Sequence, residues 1–171
     1  GFIVNPVVLS NEKKQRLNQR LMLFFTGFSR FSFSIQAQHE KAIGTNPKQL
    51  LEMLLLVDQG EEILTSGDLD DFGRLLDHTW KLKRGLNASV STDAIDGLYD
   101  AAKKAGALGG KLLGAGGGGF LLLYVQPEKQ GAVRQALGQL KEIPFYFETG
   151  GARVLYYAPE DYTPAKENML C

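Results

Sequence analysis

Glycine dominates one short segment in the second half of this 171-residue chain. Six small residues follow one another there: Gly114, Ala115, Gly116, Gly117, Gly118 and Gly119. Glycines leave backbone N–H groups uncovered by side chains and adopt positive φ at little cost. Both properties suit the close approach of a phosphate group or of another backbone segment. A plain hairpin needs only about two special residues, so the segment indicates a binding loop, with a flexible hairpin as the alternative.

Two common phosphate-binding patterns do not fit the segment. A Walker A loop would need glycine and then serine or threonine where the chain has Ala105 and Leu112. The dinucleotide pattern G-x-G-x-x-G is present, but it must lead into a helix, whereas residues 120–125 form an apolar, strand-like run. Lys111 stands just before the loop, where it could face a phosphate group, face solvent or pair with an acid.

The elements that must position this loop predict an α+β fold. Apolar β-branched or aromatic runs indicate strands, and apolar residues at helical spacing indicate helices. The resulting order predicts a ferredoxin-like, split β-α-β antiparallel sheet with inserted helices. Strands are predicted at residues 2–8, 21–25 (buried on both faces), 111–113, 120–125, 143–147 and 153–157. Helices are predicted from residue 10 or 11 to about 19, at 29–42, from Asn46-Pro47 to 66, from Asp68, from Ser91 or Thr92 to 104, and from Pro127. The tail from about residue 159 is expected to be poorly ordered.

Composition excludes several functional classes. Basic and acidic residues balance at 19 each, so the chain has no electrostatic footprint for nucleic acid or for an acidic membrane surface. Its single cysteine is Cys171, so an internal disulfide is impossible, which fits a cytoplasmic location. The start has no signal peptide, and no apolar run is long enough to span a bilayer. His39 and His78 lack metal-ligand spacing, so we expect no metal site in this chain.

The loop and its flanks resemble a known family. Seven residues match, position by position, the third conserved motif of the GHMP kinases: Lys111, Gly114, Ala115, Gly116, Gly118, Gly119 and Phe120. Residues 23–30 resemble the strand-Thr-Gly-x-Ser-Arg segment of the sugar-1-kinases in this family. Residues 80–84 and 95–99 look like the D-glycero-D-manno-heptose 7-phosphate kinases and their fucose-kinase relatives. The resemblance extends from about Val4 to Ala158.

The resemblance implies a two-domain kinase with its active site between the domains. The family's N-terminal domain carries the main ATP phosphate loop, and Pro-x-x-x-Gly-Leu-Gly-Ser-Ser is missing from this chain. The chain is therefore expected to be the C-terminal domain, residues 1–171, without its N-terminal ATP-binding domain. That domain would be its partner, would bind most of the ATP and Mg²⁺, and would hold the catalytic residues, so this chain alone is expected to be inactive.

The resemblance also implies a substrate and a set of contacts. The expected reaction transfers the γ-phosphoryl group of ATP to the anomeric hydroxyl of D-glycero-D-manno-heptose 7-phosphate. Arg30 would clamp a sugar phosphate, and Thr26 and Ser29 would bind sugar hydroxyls, although Ser29 equally suits a helix N-cap. Lys81, Lys83 and Arg84 suit a solvated helix end, with phosphate contact as the alternative. Asp70-Asp71 and Glu61-Glu62 are interpreted as surface acids. A fucose-type or other small-molecule kinase, or a non-catalytic ferredoxin-like ligand-binding module, remains the alternative.

Overall fold

A computed structural model describes residues 6–27, 46–86, 90–114, 118–148 and 150–151. Within these ranges five α-helices, one 3₁₀ turn and four strands follow one another along the chain. In order they are α1 (Asn11–Arg20), β1 (Leu21–Phe25), α2 (Pro47–Thr65), α3 (Leu69–Leu86), α4 (Asp93–Lys104), β2 (Gly109–Leu113), β3 (Phe120–Tyr124), the 3₁₀ turn (Pro127–Lys129), α5 (Gln130–Ala136) and β4 (Lys141–Glu142). None of the helices in these ranges is long and apolar enough to cross a bilayer.

The four strands form one antiparallel sheet in the order β2-β3-β1-β4. Leu113 pairs with Phe120, Phe120 with Phe25, and Phe25 with Lys141, so these residues form a single row at one end of the sheet. The glycine loop connects β2 and β3 at this same end. This is the strand order of the ferredoxin-like fold, and it confirms the predicted fold class.

One face of the sheet carries the hydrophobic core. Met22 and Phe24 of β1 and Leu121 and Leu123 of β3 are buried there against side chains of α3, α4 and α5. The helical partners include Trp80, Ile95, Tyr99, Ala102 and Val133. Burial of this apolar surface stabilises the domain at roughly 25 cal/mol per Å².

The second face is covered only in part. A smaller cluster around Tyr124 receives Leu17 of α1 and Leu69, Phe72 and Leu76 of α3. At the loop end of the same face, Phe25 is 39% exposed. The prediction that β1 is buried on both faces is therefore wrong, because successive side chains alternate between the faces and the described helices cover the second face only at its far end.

Two glycines let α3 lie unusually close to β2. A Cβ atom on Gly109 would stand 1.9 Å from the carbonyl oxygen of Gly73. A Cβ atom on Gly73 would stand 2.6 Å from the Tyr124 ring. Both positions therefore exclude any side chain, and this contact fixes the place of α3 along the sheet.

Local sequence signals explain where the helices begin. The Ser10 hydroxyl accepts a hydrogen bond from the Lys13 N–H at 3.1 Å, and the Thr92 hydroxyl accepts one from the Ile95 N–H at 3.3 Å. Such N-cap bonds satisfy backbone donors that have no partner inside the helix. Both caps stand where the sequence predicts them, and Pro47 begins α2 as predicted.

The sequence predicts the end of the sheet less well. The expected strand at residues 143–147 is wrong, since β4 consists only of Lys141–Glu142. The Asn18 amide holds the following segment instead: its Nδ2 donates to the Phe145 carbonyl at 3.1 Å, and its Oδ1 accepts from the Phe147 N–H at 3.2 Å. Residues 6–8 have no regular structure. The predictions for residues 2–5, 29–42, 153–157 and the tail from 159 lie outside the described residues.

Candidate functional site

The glycine loop leaves and re-enters the sheet through two glycines with positive φ. Gly114, directly after β2, has φ +117, and Gly119, directly before β3, has φ +109. Residues other than glycine rarely adopt such positive φ values. At Gly119 a Cβ atom would also stand 2.6 Å from the Leu113 carbonyl oxygen. Glycine at position 119 is therefore required by both conformation and space.

Thr26 anchors the loop to the end of β1. Its backbone N–H and its Oγ1 both donate to the Gly119 carbonyl oxygen, at 3.0 Å and 2.9 Å. The side chain is only 4% exposed. The hydroxyl hydrogen is thus held by Gly119, and a sugar hydroxyl would have to donate to Thr26 rather than accept from it. Gly27 follows with φ +76 and turns the chain.

A partly exposed sheet surface adjoins the loop. We define the open face as Leu23, Phe25, Lys111, Leu113, Phe120 and Leu122, all on the second face of the sheet and none of them fully buried. The Phe25 and Phe120 rings lie 5.4 Å apart at its loop end. An apolar wall beside a glycine loop is a common composition for a small-molecule site.

The cationic side chains near the C-terminal end of α3 differ in how they are neutralised. Lys81 forms an ion pair with Asp77 at 2.7 Å, and Arg84 forms one with Asp96 at 2.7 Å. Lys83, between them in sequence, has no hydrogen bond or ion pair within the described ranges. Burial lowers the pKa of Lys83, and the nearby charge of Lys111 lowers it further. Of the predicted basic cluster, two members serve structural ion pairs and one does not.

A groove beside α1 shares only Leu23 with the open face. It has a volume of about 530 Å³ and lies between α1 and the segment 142–147. Its lining includes Asn18 and Tyr146 but none of the predicted site residues. We assign the site to the loop end of the sheet, because the required glycines and Thr26 occur together there.

Comparison with known proteins identifies the family. The profile of the C-terminal domain of GHMP kinases matches residues 61–142, from the end of α2 through β4 and including the glycine loop. This chain carries a GHMP kinase C-terminal domain.

Relatives of the GHMP domain include several kinases. A D-glycero-alpha-D-manno-heptose 7-phosphate kinase from Campylobacter jejuni is 30% identical over 150 residues, which are 84% of this chain and 44% of that protein. A bifunctional fucokinase/GDP-fucose pyrophosphorylase from Arabidopsis thaliana is 31% identical over 81% of this chain and 14% of that protein. The chain thus spans less than half the length of either relative. The mevalonate kinase structure from Methanococcus jannaschii shares the fold, with a TM-score of 0.64 and 24% identity over 79% of this chain and 42% of that one.

The GHMP domain brings together only part of the predicted site. Thr26, Gly118 and Gly119 lie together at the loop end, with Gly114 across the same hairpin. Lys111 lies on β2, which leads into the loop. Ser29, Arg30, Ala115, Gly116 and Gly117 lie outside the described residues, and their predicted contacts stay predictions.

Sequence reasoning missed two carboxylates that hold the GHMP domain together. Asp77 accepts from the Tyr99 hydroxyl at 2.7 Å and is paired with Lys81 and Lys103. Burial alone would raise the pKa of Asp77, but the hydrogen bonds from Lys81 and Tyr99 and the lysine charges outweigh it and lower that pKa. The pKa of Tyr99 is raised by burial and by its bond to Asp77. Asp77 therefore fastens α3 to α4.

Asp70 is the second of these carboxylates and corrects a prediction. Rather than a surface acid, it accepts from the Tyr124 hydroxyl at 2.9 Å and from the Gln126 amide, with Arg20 at 3.8 Å. Asp70 and Asp77 are seven residues apart, two helical turns, which places both on the side of α3 that faces the rest of the domain. The seven-residue spacing of Asp70 and Asp77, together with the two tyrosines in apolar surroundings, is the sequence signal that could have indicated these hydrogen bonds.

No metal centre is evident in the part of the chain that the structure describes. No group of three or more histidine, cysteine, aspartate or glutamate side chains comes together there. His78 instead lies 3.0 Å from the Glu52 carboxylate. The described residues thus offer glycine backbone and lysines for phosphate groups, but no carboxylate set for Mg²⁺.

Proposed function

We propose that this chain is the acceptor-side half of an ATP-dependent kinase that phosphorylates the anomeric hydroxyl of D-glycero-D-manno-heptose 7-phosphate. The carrying observation is the glycine hairpin of a GHMP domain, fixed by Thr26 beside the open face. The similarity to the Campylobacter heptose 7-phosphate kinase supports this acceptor. The similarity to the Arabidopsis fucokinase supports fucose as the second candidate.

The residues fit the demands of phosphoryl transfer, which depends mostly on positioning and on stabilising charge. ATP would supply the γ-phosphoryl group, and Mg²⁺ would offset the negative charge of its phosphates. In the proposal, backbone N–H groups of the glycine loop approach the transferred group, where side chains would block it. Thr26 keeps the loop in register with β1, and the open face forms one wall of the acceptor site.

The proposal includes a partner domain. As the resemblance to the GHMP kinases implies, an N-terminal kinase domain would bind most of the ATP and Mg²⁺ and supply the catalytic residues. Cleft closure between two domains would exclude water from the reaction. A cytoplasmic location is part of the proposal and rests on the sequence, whose only cysteine is Cys171.

Release of ADP by the full-length product of the reading frame tests the proposal. The acceptor panel contains heptose 7-phosphate, unphosphorylated heptose, fucose, galactose and mevalonate, with the 171-residue chain assayed in parallel. We expect kcat/KM for heptose 7-phosphate to exceed that for every other acceptor by about 100-fold or more, since a missing phosphate leaves its binding groups unpaired. We expect no turnover by the 171-residue chain.

Three other results of this assay would change or refute the proposal. Preference for fucose would replace the acceptor while keeping the kinase. Turnover by the 171-residue chain alone would refute the need for a partner domain. If no acceptor on the panel is phosphorylated, the kinase proposal fails and the non-catalytic ligand-binding module is the better account.

A further inference from the structure

Two lysines from different elements lie on the same side of the sheet. Lys111 lies on β2, and its side chain shares the open face with Leu113, while Leu112 between them points into the core. Lys83 lies on α3, seven residues after Leu76 and therefore on the same side of the helix, which faces the second face of the sheet. The close contact of Gly73 with Gly109 holds α3 along β2. Burial lowers the pKa of Lys83, and the charge of Lys111 lowers it further, which agrees with this arrangement.

No acidic side chain among the described residues neutralises the charge of Lys83 or Lys111. The flanking cations of α3, Lys81 and Arg84, have the carboxylates of Asp77 and Asp96 as partners. Lys83 and Lys111 have neither a hydrogen bond nor an ion pair to any residue that the structure describes. Two partly buried charges of the same sign repel each other and lose hydration. An anion between them would relieve both costs.

The position of the pair indicates which anion. Lys111 precedes Gly114 by three strand residues, so it lies about 10 Å from the start of the glycine loop. That separation suits a ligand whose reacting hydroxyl lies at the loop and whose far end carries a charged group. Ammonium groups bind phosphate as point charges, and a phosphate dianion matches two lysines better than a carboxylate does.

We propose that Lys83 and Lys111 form a phosphate-binding site on the open face, which receives the phosphate group of a phosphorylated acceptor. The site itself follows from the geometry and charge of the two lysines. Only the source of the phosphate rests on the proposed function. The site would make the enzyme distinguish a sugar phosphate from the free sugar.

Binding of inorganic phosphate to the 171-residue chain tests the site without catalysis. Titration followed by calorimetry should show saturable binding, and Lys83→Met and Lys111→Met should each weaken it about tenfold, the loss of one charge-assisted contact. Lys104→Met on α4 is the matched control, because Lys104 is exposed and lies outside the proposed site, and it should bind as the unaltered chain does. Thermal unfolding should show that Lys83→Met stays folded, since the change removes repulsion. Absence of phosphate binding, or equal binding by all variants, overturns the proposal.

Steady-state kinetics of the full-length protein identify the source of the phosphate. Lys83→Met should raise KM for heptose 7-phosphate about tenfold and leave KM for ATP unchanged, whereas Lys104→Met should change neither. A raised KM for ATP instead would assign the site to the nucleotide and overturn the acceptor assignment. Phosphate binding that depends on both lysines would stand even if the panel showed no kinase activity, so failure of the site and failure of the proposed function are distinguishable.

Discussion

The two faces of the sheet carry nearly the same residues and have different environments. Three neighbouring pairs show this, each with one member on either face: Phe24 and Phe25, Leu112 and Leu113, Leu121 and Leu122. Phe24 is 1% exposed and Phe25 39%. The core-face members pack against α4 and α5, while the apolar side chains of the described helices cover the second face only at its end remote from the glycine loop. Residues of equal hydrophobicity therefore differ in burial between the two faces of the sheet.

The difference in burial between the two faces indicates that they have different roles, one in stability and the other in ligand binding. Core-face side chains contribute their full transfer free energy on folding, whereas half-exposed ones contribute only part of it. The open face also carries Lys111 and adjoins the glycine loop, features that do not stabilise a core. We therefore expect substitutions on the core face to act on folding and those on the open face to act mainly on ligands.

The largest loss of stability should come from disturbing the close contact between Gly109 of β2 and Gly73 of α3. Gly109→Ala would place a methyl group 1.9 Å from the Gly73 carbonyl oxygen, so α3 would have to move off β2. We expect a loss of about 3 kcal/mol or more in the free energy of unfolding, measured by urea denaturation. Gly97→Ala in α4 is the control: nothing stands within 4 Å of its Cβ position, and helix propensity should stabilise it by about 0.5–1 kcal/mol. Equal stability of the two variants would disprove the tight contact.

A matched pair on β3 compares the faces directly. Leu121→Ala should lower the free energy of unfolding by about 3 kcal/mol, because Leu121 is fully buried and its removal leaves a cavity. Leu122→Ala should cost only about 1 kcal/mol, since the side chain is partly exposed. Urea denaturation of the 171-residue chain measures both. Similar losses for the two variants would show that the open face is as well packed as the core.

The smallest effect on stability is expected where β1 meets the glycine loop. Thr26→Val removes the hydroxyl that donates to Gly119 but leaves the backbone bond to the same oxygen. We expect a loss of about 1 kcal/mol in unfolding free energy, together with a lower kcat in the full-length enzyme. Thr26→Ser keeps the hydroxyl and serves as the control. If Thr26→Val matches the unaltered protein in both measurements, the anchoring role of Thr26 is wrong.

Sequence patterns predicted the fold well where local signals are strong. Ser10 and Thr92 cap helices as expected, and the run of glycines between two apolar strands predicted the hairpin at Gly114 and Gly119. These signals act within a few residues of the chain, so they do not depend on distant partners. The strand order followed from the order of elements.

The failures all concern partners that are distant in sequence. β1 is apolar throughout, so its composition could not reveal that Phe25 lies on a half-covered face. Asp70 resembles a solvated acid until Tyr124 approaches it from a strand 54 residues away. The composition of residues 143–147 is typical of a strand, but this segment is bonded to the Asn18 side chain and does not form a strand. The distinction between Lys83 and its paired neighbours likewise depends on where Asp77 and Asp96 lie.

We propose that this GHMP domain serves a kinase that acts on the anomeric hydroxyl of a heptose phosphate. The most direct test of this proposal is ³¹P NMR of the product formed by the full-length protein from ATP and heptose 7-phosphate. The account predicts a second sugar phosphate signal, coupled to the anomeric proton, that appears as ATP is consumed. A product that keeps only its original phosphate, or a new phosphate coupled to any other proton, would contradict it.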